Sequence, residues 1–456
     1  MNPKTRRQFL KTVGQVGAVG IAAHMTRLAP LPLFAQGTDY KALVCIFMFG
    51  GNDSNNMIVP IDSRYGAYQA MRGGDPATNP TSVALPMASL TPRAAGSTGY
   101  AFHPNLVNLS NRYNQADQRV AMVFNVGTLF RPMTRDQFRN GSVPRPVNLF
   151  SHSDQTQQWQ TSNPSGGATG WAGRINDTLH PAFNPMATMP PGISTQGSAI
   201  FLNGVTTQGL NYSNPNSFGL TTFSGPTTAR LTALQNILVA DSGVQLVGAA
   251  NGVLGNSLAN AQAINAALQA APAIPAGITF PNTGLGNQLR QIAQIIAVHG
   301  DSRVNMNRQV FFAGTGGFDN HENLLASHVN LMNGIDQAIE AFVRTLEARG
   351  QYNQVTLFTE SEFNRTANNN ATAGTDHAWG SHCFVLGGAV NGGTHGTFPT
   401  HQLNGPDDAG DRGYWIPTTS TDQYAGTLGR WFGASDAQLA QAFPNLANFS
   451  GLLNFV

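Results

Sequence analysis

Five stretches of this chain stay apolar for most of their length and then stop at glycines or acids: 41–53 (KALVCIFMFGGND), 119–128 (RVAMVFNVGT), 308–319 (RQVFFAGTGGFD), 353–363 (NQVTLFTESEF) and 382–390 (HCFVLGGAV). A strand solvated on one face alternates apolar and polar residues, whereas a continuous apolar run reads as a strand buried on both faces. Helical patterns lie between the runs. Leu324, His328, Leu331, Met332, Ile335, Ile339, Phe342 and Leu346 follow the i, i+3, i+4, i+7 spacing of an amphipathic helix over 324–346, with Gly350 as its stop. A second helix is expected over 285–300. Buried strands alternating with such helices predict a three-layer α/β/α fold with a mostly parallel central sheet. Ligands of such sheets bind beyond the carboxyl ends of the strands. Asp53, Asp319 and Glu362 each lie just past an apolar run, so they are expected together on one edge.

Residues 185–285 differ: they are rich in Asn, Ser, Thr, Gly and Ala and nearly free of charge. They read as an insertion or cap, with helices over TARLTALQNILVA and NSLANAQAINAALQAA. Segments 72–98 and 391–415 read as long loops. With 41% apolar and 11% charged residues the chain can bury a large core, and disorder driven by charge is excluded. Cys45 and Cys383 sit inside apolar runs and read as buried small hydrophobes, not as a disulfide framework.

The first 36 residues stand apart. Arg6 and Arg7 precede Phe9, Leu10 and Lys11, and a mild apolar run of Gly, Val, Ala and Ile follows. This pattern resembles a twin-arginine export signal. The run from Thr12 to Ala23 is too short and too glycine-rich for a stable transmembrane span. The expectation is therefore a signal peptide over 1–36, a single domain over 37–456, passage through the twin-arginine translocase, and residence in the periplasm or outside the cell. An uncleaved amphipathic anchor is the alternative. Five basic residues lie in the leader. Without them 20 basic side chains face 23 acidic ones, which argues against a nucleic-acid surface.

Asp319 and His321 put a hard oxygen and an imidazole nitrogen two residues apart, and Asp376-His377 supplies a second pair just before an apolar run. Such pairs can hold a divalent cation if other ligands converge; capping of turns is the ordinary alternative for one pair alone. Carboxylates gathered at one sheet edge repel one another, which favours a cation there. In NLFSHSDQTQQW, Ser151 stands at a plausible helix start, either as a nucleophile or as a simple N-cap. Arg365 is a candidate for a substrate anion, or for an ion pair with Glu360 or Glu362. There is no G-x-S-x-G elbow, P-loop or clear dinucleotide turn.

The motifs FGGNDSNNMIVP, LFSHSDQTQQWQ, TGWAGRIND, QLRQIAQIIA, GGFDNH, TESEFNRT and GTDHAWG, in that order behind the leader, resemble the exported bacterial domain-of-unknown-function family fifteen-oh-one. That family is similar to the alkaline phosphatase and sulfatase superfamily. The resemblance implies an alkaline-phosphatase-like core with two adjacent divalent-metal positions. Asp53 would hold one metal, Ser151 would stand at the nucleophile position, and Asp319, His321 and His377 would hold the other. Glu362 would replace the superfamily's usual Asp-His pair. Asn364, Ala378 and Ser54-Asn55 depart from the family's usual residues, and none of these is an implied ligand. The expected ligand set is Asp53, Asp319, His321, Glu362, Asp376 and His377, for one or two ions of zinc, manganese, magnesium or calcium. The expected activity is hydrolysis of phosphate or sulfate esters on a small or polymer-borne anionic substrate, with Ser151 and Arg365 as catalytic residues. A non-catalytic extracytoplasmic binding protein and a lipid- or glycan-modifying transferase are the competing readings.

Overall fold

The apolar runs become the central strands. The computed structural model describes residues 39–187, 189–211, 228–239 and 243–456; the signal peptide expected over 1–36 lies outside the described residues. In chain order the strands are β1 (Lys41–Met48), β2 (Ile58–Pro60), β3 (Tyr100–Phe102), β4 (Val120–Gly127), β5 (Gly192–Ser194), β6 (Leu210–Asn211), β7 (Arg308–Thr315), β8 (Val355–Glu360), β9 (Ser381–Leu386), β10 (Gly393–His395) and β11 (Thr419–Ser420). Among the described residues, nine of them form one sheet in the order β10-β4-β9-β8-β1-β7-β5-β6, with β11 also on β4. β2 and β3 make a separate antiparallel pair.

The sheet is mostly parallel. β1 lies between β7 and β8 with all three running the same way. β9 is the exception: it runs antiparallel to both β8 and β4. This matters for the site. An antiparallel strand begins at the edge where its neighbours end, so the residues before β9 meet the residues after β1, β7 and β8.

Side chains alternate across each strand, and the two faces bury separate cores. Val44 and Ile46 of β1 and Phe311 of β7 face one side, together with Leu289 and Ile292 of the helix Gly284–Ala297 and Ile335, Ile339 and Phe342 of the helix Leu324–Ala348. Leu43, Cys45 and Phe47 face the other, together with Ile175 and Leu179 of the helix Trp171–Phe183 and Tyr424 and Leu428 of the helix Thr421–Phe432. The result is a three-layer α/β/α arrangement. Cys45 and Cys383 are both free and buried in the second core.

The segment 185–285 is not wholly an insertion. β5 pairs with β7 and β6 with β5, so 192–211 extends the central sheet. The added helices are Thr228–Val239 and Gln245–Gln269. The second begins well before the expected NSLANAQ stretch, because it continues through Gly248, Gly252 and Gly255 instead of stopping at them. Its far end packs into the first core through Ile264 and Ala267.

Candidate metal centre

The carboxyl edge of the sheet requires two chain segments to pass unusually close. After β1 the chain turns at Gly50, whose φ is +114°, and a Cβ there would sit 2.4 Å from the amide nitrogen of Asp319. Only glycine fits that approach. The Asp319 segment therefore lies directly against the β1 turn. Asp376 and His377 arrive at the same edge because β9 is antiparallel. The fourth contributor is the start of the helix His152–Thr161. The chain enters this helix through Asn148 and Phe150, both with left-handed backbone, φ +47° and +77°. For a phenylalanine that conformation is strained. It leaves the Phe150 carbonyl accepting from Nδ1 of His377 at 2.9 Å and delivers His152 to the edge.

Three histidines share one hydrogen-bonding logic. Nδ1 of His152 lies 2.9 Å from Glu362 Oε1, Nδ1 of His321 lies 3.0 Å from Asp376 Oδ1, and Nδ1 of His377 faces the Phe150 carbonyl. A carbonyl and a carboxylate can only accept, so each Nδ1 carries the proton and each Nε2 presents a lone pair. All three Nε2 atoms point at Asp319. His321 Nε2 is 2.9 Å and His377 Nε2 3.2 Å from Oδ1, and His152 Nε2 is 3.4 Å from Oδ2. The Nε2 atoms of His321 and His377 are 3.1 Å apart. His152 Nε2 is shielded from solvent and has no hydrogen-bond partner. Lone pairs that face one another and a carboxylate at such distances repel unless a metal ion or a second ring proton lies among them. Ligands about 2.0–2.1 Å from a tetrahedral ion would be roughly 3.3 Å apart; the three Nε2–Asp319 separations and the His321–His377 separation are 2.9–3.4 Å. Asp319 and His377, with either His321 or His152, therefore fit a divalent cation by both donor chemistry and spacing. His152, Asp319 and His377 form one group whose ligand atoms all lie within 4.8 Å of one another, and His321, Asp319 and His377 lie 2.9–3.2 Å apart.

Charge points the same way. The three carboxylates of the network, Asp319, Glu362 and Asp376, are set against two guanidiniums. Arg365 Nη1 is 2.8 Å from Asp319, and Arg412 Nη1 is 2.6 Å from Asp376. With neutral imidazoles, a negative charge remains uncompensated. Burial alone would raise the Asp319 carboxyl, but the Arg365 hydrogen bond and charge, with His321 and His152 nearby, hold it below the usual carboxylate range. Asp376 is likewise held low against burial, by Arg412 and His321. The Glu362 hydrogen bond raises His152. Burial lowers His377, which keeps that ring neutral and able to ligate.

The expected residues thus fall into groups. Asp319, His321 and His377 converge with their donor atoms inward. Glu362 and Asp376 stand one step behind, each holding a histidine; Glu362 Oε1 also accepts from the Gly50 amide at 2.8 Å.

Asp53 does not join them. It is fully buried in an ion pair with Arg72, 2.6 Å away, so its charge is already compensated. Arg365 is not offered to a substrate: its side chain has no exposed surface and is committed to Asp319 and the backbone carbonyls of Gly50 and Thr375. It pairs with neither Glu360 nor Glu362. Ser151 is the N-cap of its helix, and its Oγ donates to Asp154 Oδ2 at 2.5 Å.

His152, the next residue, was not singled out by the sequence. A signal was present, since a helix N-terminus favours anions.

Two clefts open at Asp319. One, of about 600 Å³, is lined by Phe49, Gly50, His152, Ser153, Gly317 and Glu362 among others. The other, of about 490 Å³, is lined by Asn320, His321, Glu322, Asn323, Ser327 and Thr372. No Lys or Arg is among the described residues that line them.

Residues 299–436 match the family model described as protein of unknown function (DUF1501). That span contains Asp319, His321, Glu362, Asp376 and His377 but not His152. No curated protein matches. Among solved structures the chain is similar to Ps i-CgsB in complex with k-i-k-neocarrahexaose, with TM-score 0.31 and 9% identity, covering 88% of this chain and 74% of that one. It is also similar to the PsFucS1 sulfatase from Pseudoalteromonas sp., with TM-score 0.30 and 10% identity, covering 96% and 73%.

Proposed function

We propose that this chain is a divalent-metal-dependent hydrolase of phosphate or sulfate esters that acts outside the cytoplasm after export through the twin-arginine translocase. The observation that carries the reading is the convergence of three Nδ1-protonated histidines on Asp319. His152, His321 and His377 would hold the ion through Nε2 and Asp319 through its carboxylate. Three imidazoles with one carboxylate suit zinc, manganese or iron better than magnesium or calcium, which take oxygen ligands. When bound, such an ion supplies a Lewis acid that polarises an ester oxygen and acidifies water.

The chain's own groups do the rest. Glu362, Asp376 and the Phe150 carbonyl keep the imidazole protons on Nδ1. Arg365 keeps Asp319 ionised. Gly50 and Gly317 leave backbone exposed where a substrate approaches, and Ser153 offers a hydroxyl on the same wall. Because the Ser151 hydroxyl is engaged by Asp154, we assign the attack to water and the capping of the helix to Ser151. Export is supported by the leader sequence.

The test is elemental analysis of the purified protein together with turnover of an aryl phosphate and an aryl sulfate. Metal-dependent turnover that survives Ser151→Ala and is lost in His377→Ala supports the reading. Loss in Ser151→Ala with metal retained would return the nucleophile to Ser151. One observation favours the second reading, a non-catalytic metal- or ligand-binding protein: among the described residues, no guanidinium or ammonium lines the clefts to receive an anion. That reading predicts bound metal without turnover of either ester.

A further inference from the structure

The hairpin of helices Thr228–Val239 and Gln245–Gln269 is built unlike the rest of the chain. Over 228–269 only Arg230 and Asp241 carry charge, and there is no aromatic residue and no lysine. Over 231–239 and 243–257 no described residue is buried. Ile237, Val239, Leu246, Val247, Val253 and Leu254 are between 40% and 82% exposed.

On the second helix these residues form two adjacent rows seven residues apart, Leu246 with Val253 and Val247 with Leu254. The two rows lie about 100° apart around the helix and mark out an apolar face of the width that packs against another helix. Gly248, Gly252 and Gly255 lie along the same segment, and a Cβ built on any of them meets nothing within 4 Å. Each glycine costs an exposed helix about 1 kcal/mol relative to alanine. Helices gain most of their stability from packing an apolar face, so this segment needs a partner to remain helical.

We propose that the partner is the same hairpin of a second copy, the two forming an antiparallel four-helix bundle. Leu246, Val247, Val253 and Leu254, with one of Ile237 and Val239, which point to opposite sides of the first helix, expose on the order of 550 Å², most of the roughly 800 Å² per partner of a stable interface. Two copies carry almost no charge to repel one another. A membrane surface fits less well. Helices that lie on bilayers combine an apolar face with Lys and Arg and commonly an aromatic anchor, and the hairpin has no aromatic residue and one basic residue. The inference is independent of the metal centre.

Sedimentation equilibrium of the exported chain tests it. A concentration-dependent dimer is expected, converted to monomer by Leu246→Glu with Val253→Glu, with the circular dichroism of the body unchanged because both positions are exposed. A Val253→Cys variant, whose new thiol is exposed while Cys45 and Cys383 are buried, should form a covalent dimer on mild oxidation. A wild-type monomer throughout the micromolar range overturns the proposal. So does a dimer untouched by the double substitution, or monomeric protein that floats with phosphatidylcholine vesicles.

Discussion

Glu360→Gln should stabilise the protein, by an amount that grows with pH. Glu360 closes β8 inside the second core, with Oε1 3.3 Å from the indole Nε1 of Trp171 and Oε2 3.8 Å from the Cys45 thiol. Burial pushes its carboxyl from 4.5 up to about 8, so at neutral pH the folded protein holds a proton that the unfolded chain has released. The folded form is therefore favoured below pH 4.5, and this contribution is lost as pH rises toward 8. The gap of 4.5 to about 8, at about 1.4 kcal/mol per pH unit, amounts to about 5 kcal/mol. That is a large share of a total stability of about 5–15 kcal/mol. Glutamine keeps the shape, accepts from Trp171 and never ionises. Urea unfolding of both proteins from pH 4.5 to 8.5 isolates the term, because every other titrating group is common to the two. The variant should gain on the wild type by several kcal/mol across that range. Parallel curves would refute the burial argument.

Acid should act through other residues. His103, His328, His382 and His401 are buried. Burial lowers the first three to about 3, 4 and 3, and His401 well below its usual value. Their contribution is complete above pH 6.5 and is lost as pH falls; at pH 5 each costs about 2 kcal/mol. Circular dichroism should show cooperative unfolding before pH 4, and a native spectrum at pH 3.5 would contradict this. Ser151→Ala should lower stability by about 1 kcal/mol through loss of the helix cap, read from the urea midpoint, with metal content unchanged. Glu362→Gln should weaken metal binding by roughly 10- to 100-fold through loss of the charged acceptor behind His152, measured by chelator competition; unchanged affinity would remove Glu362 from the metal's support.

The central strands were readable because a run buried on both faces has no polar alternation, and β1, β4, β7, β8 and β9 all lie within or overlap such runs. The direction of β9 was not readable, since an apolar run looks alike in either orientation; that direction is what brings His377 to Asp319. Asp53 looked like an edge ligand because it follows β1, but its pairing with Arg72 depends on how the 54–72 segment folds back, which no local pattern encodes. His152 was hidden beside a serine with a more familiar chemistry. The second helix of the 185–285 segment was expected from Asn256, whereas it begins at Gln245 and runs through Gly248, Gly252 and Gly255, because intrinsic propensity is a weak guide to where a packed helix starts.

Equilibrium dialysis against zinc or manganese followed by elemental analysis, on wild type and on His152→Ala and His377→Ala, addresses the metal centre most directly. The arrangement of imidazoles around Asp319 predicts one ion per chain in the wild type and loss of tight binding in each variant. Full binding in both variants, or no bound ion in the wild type, would contradict it.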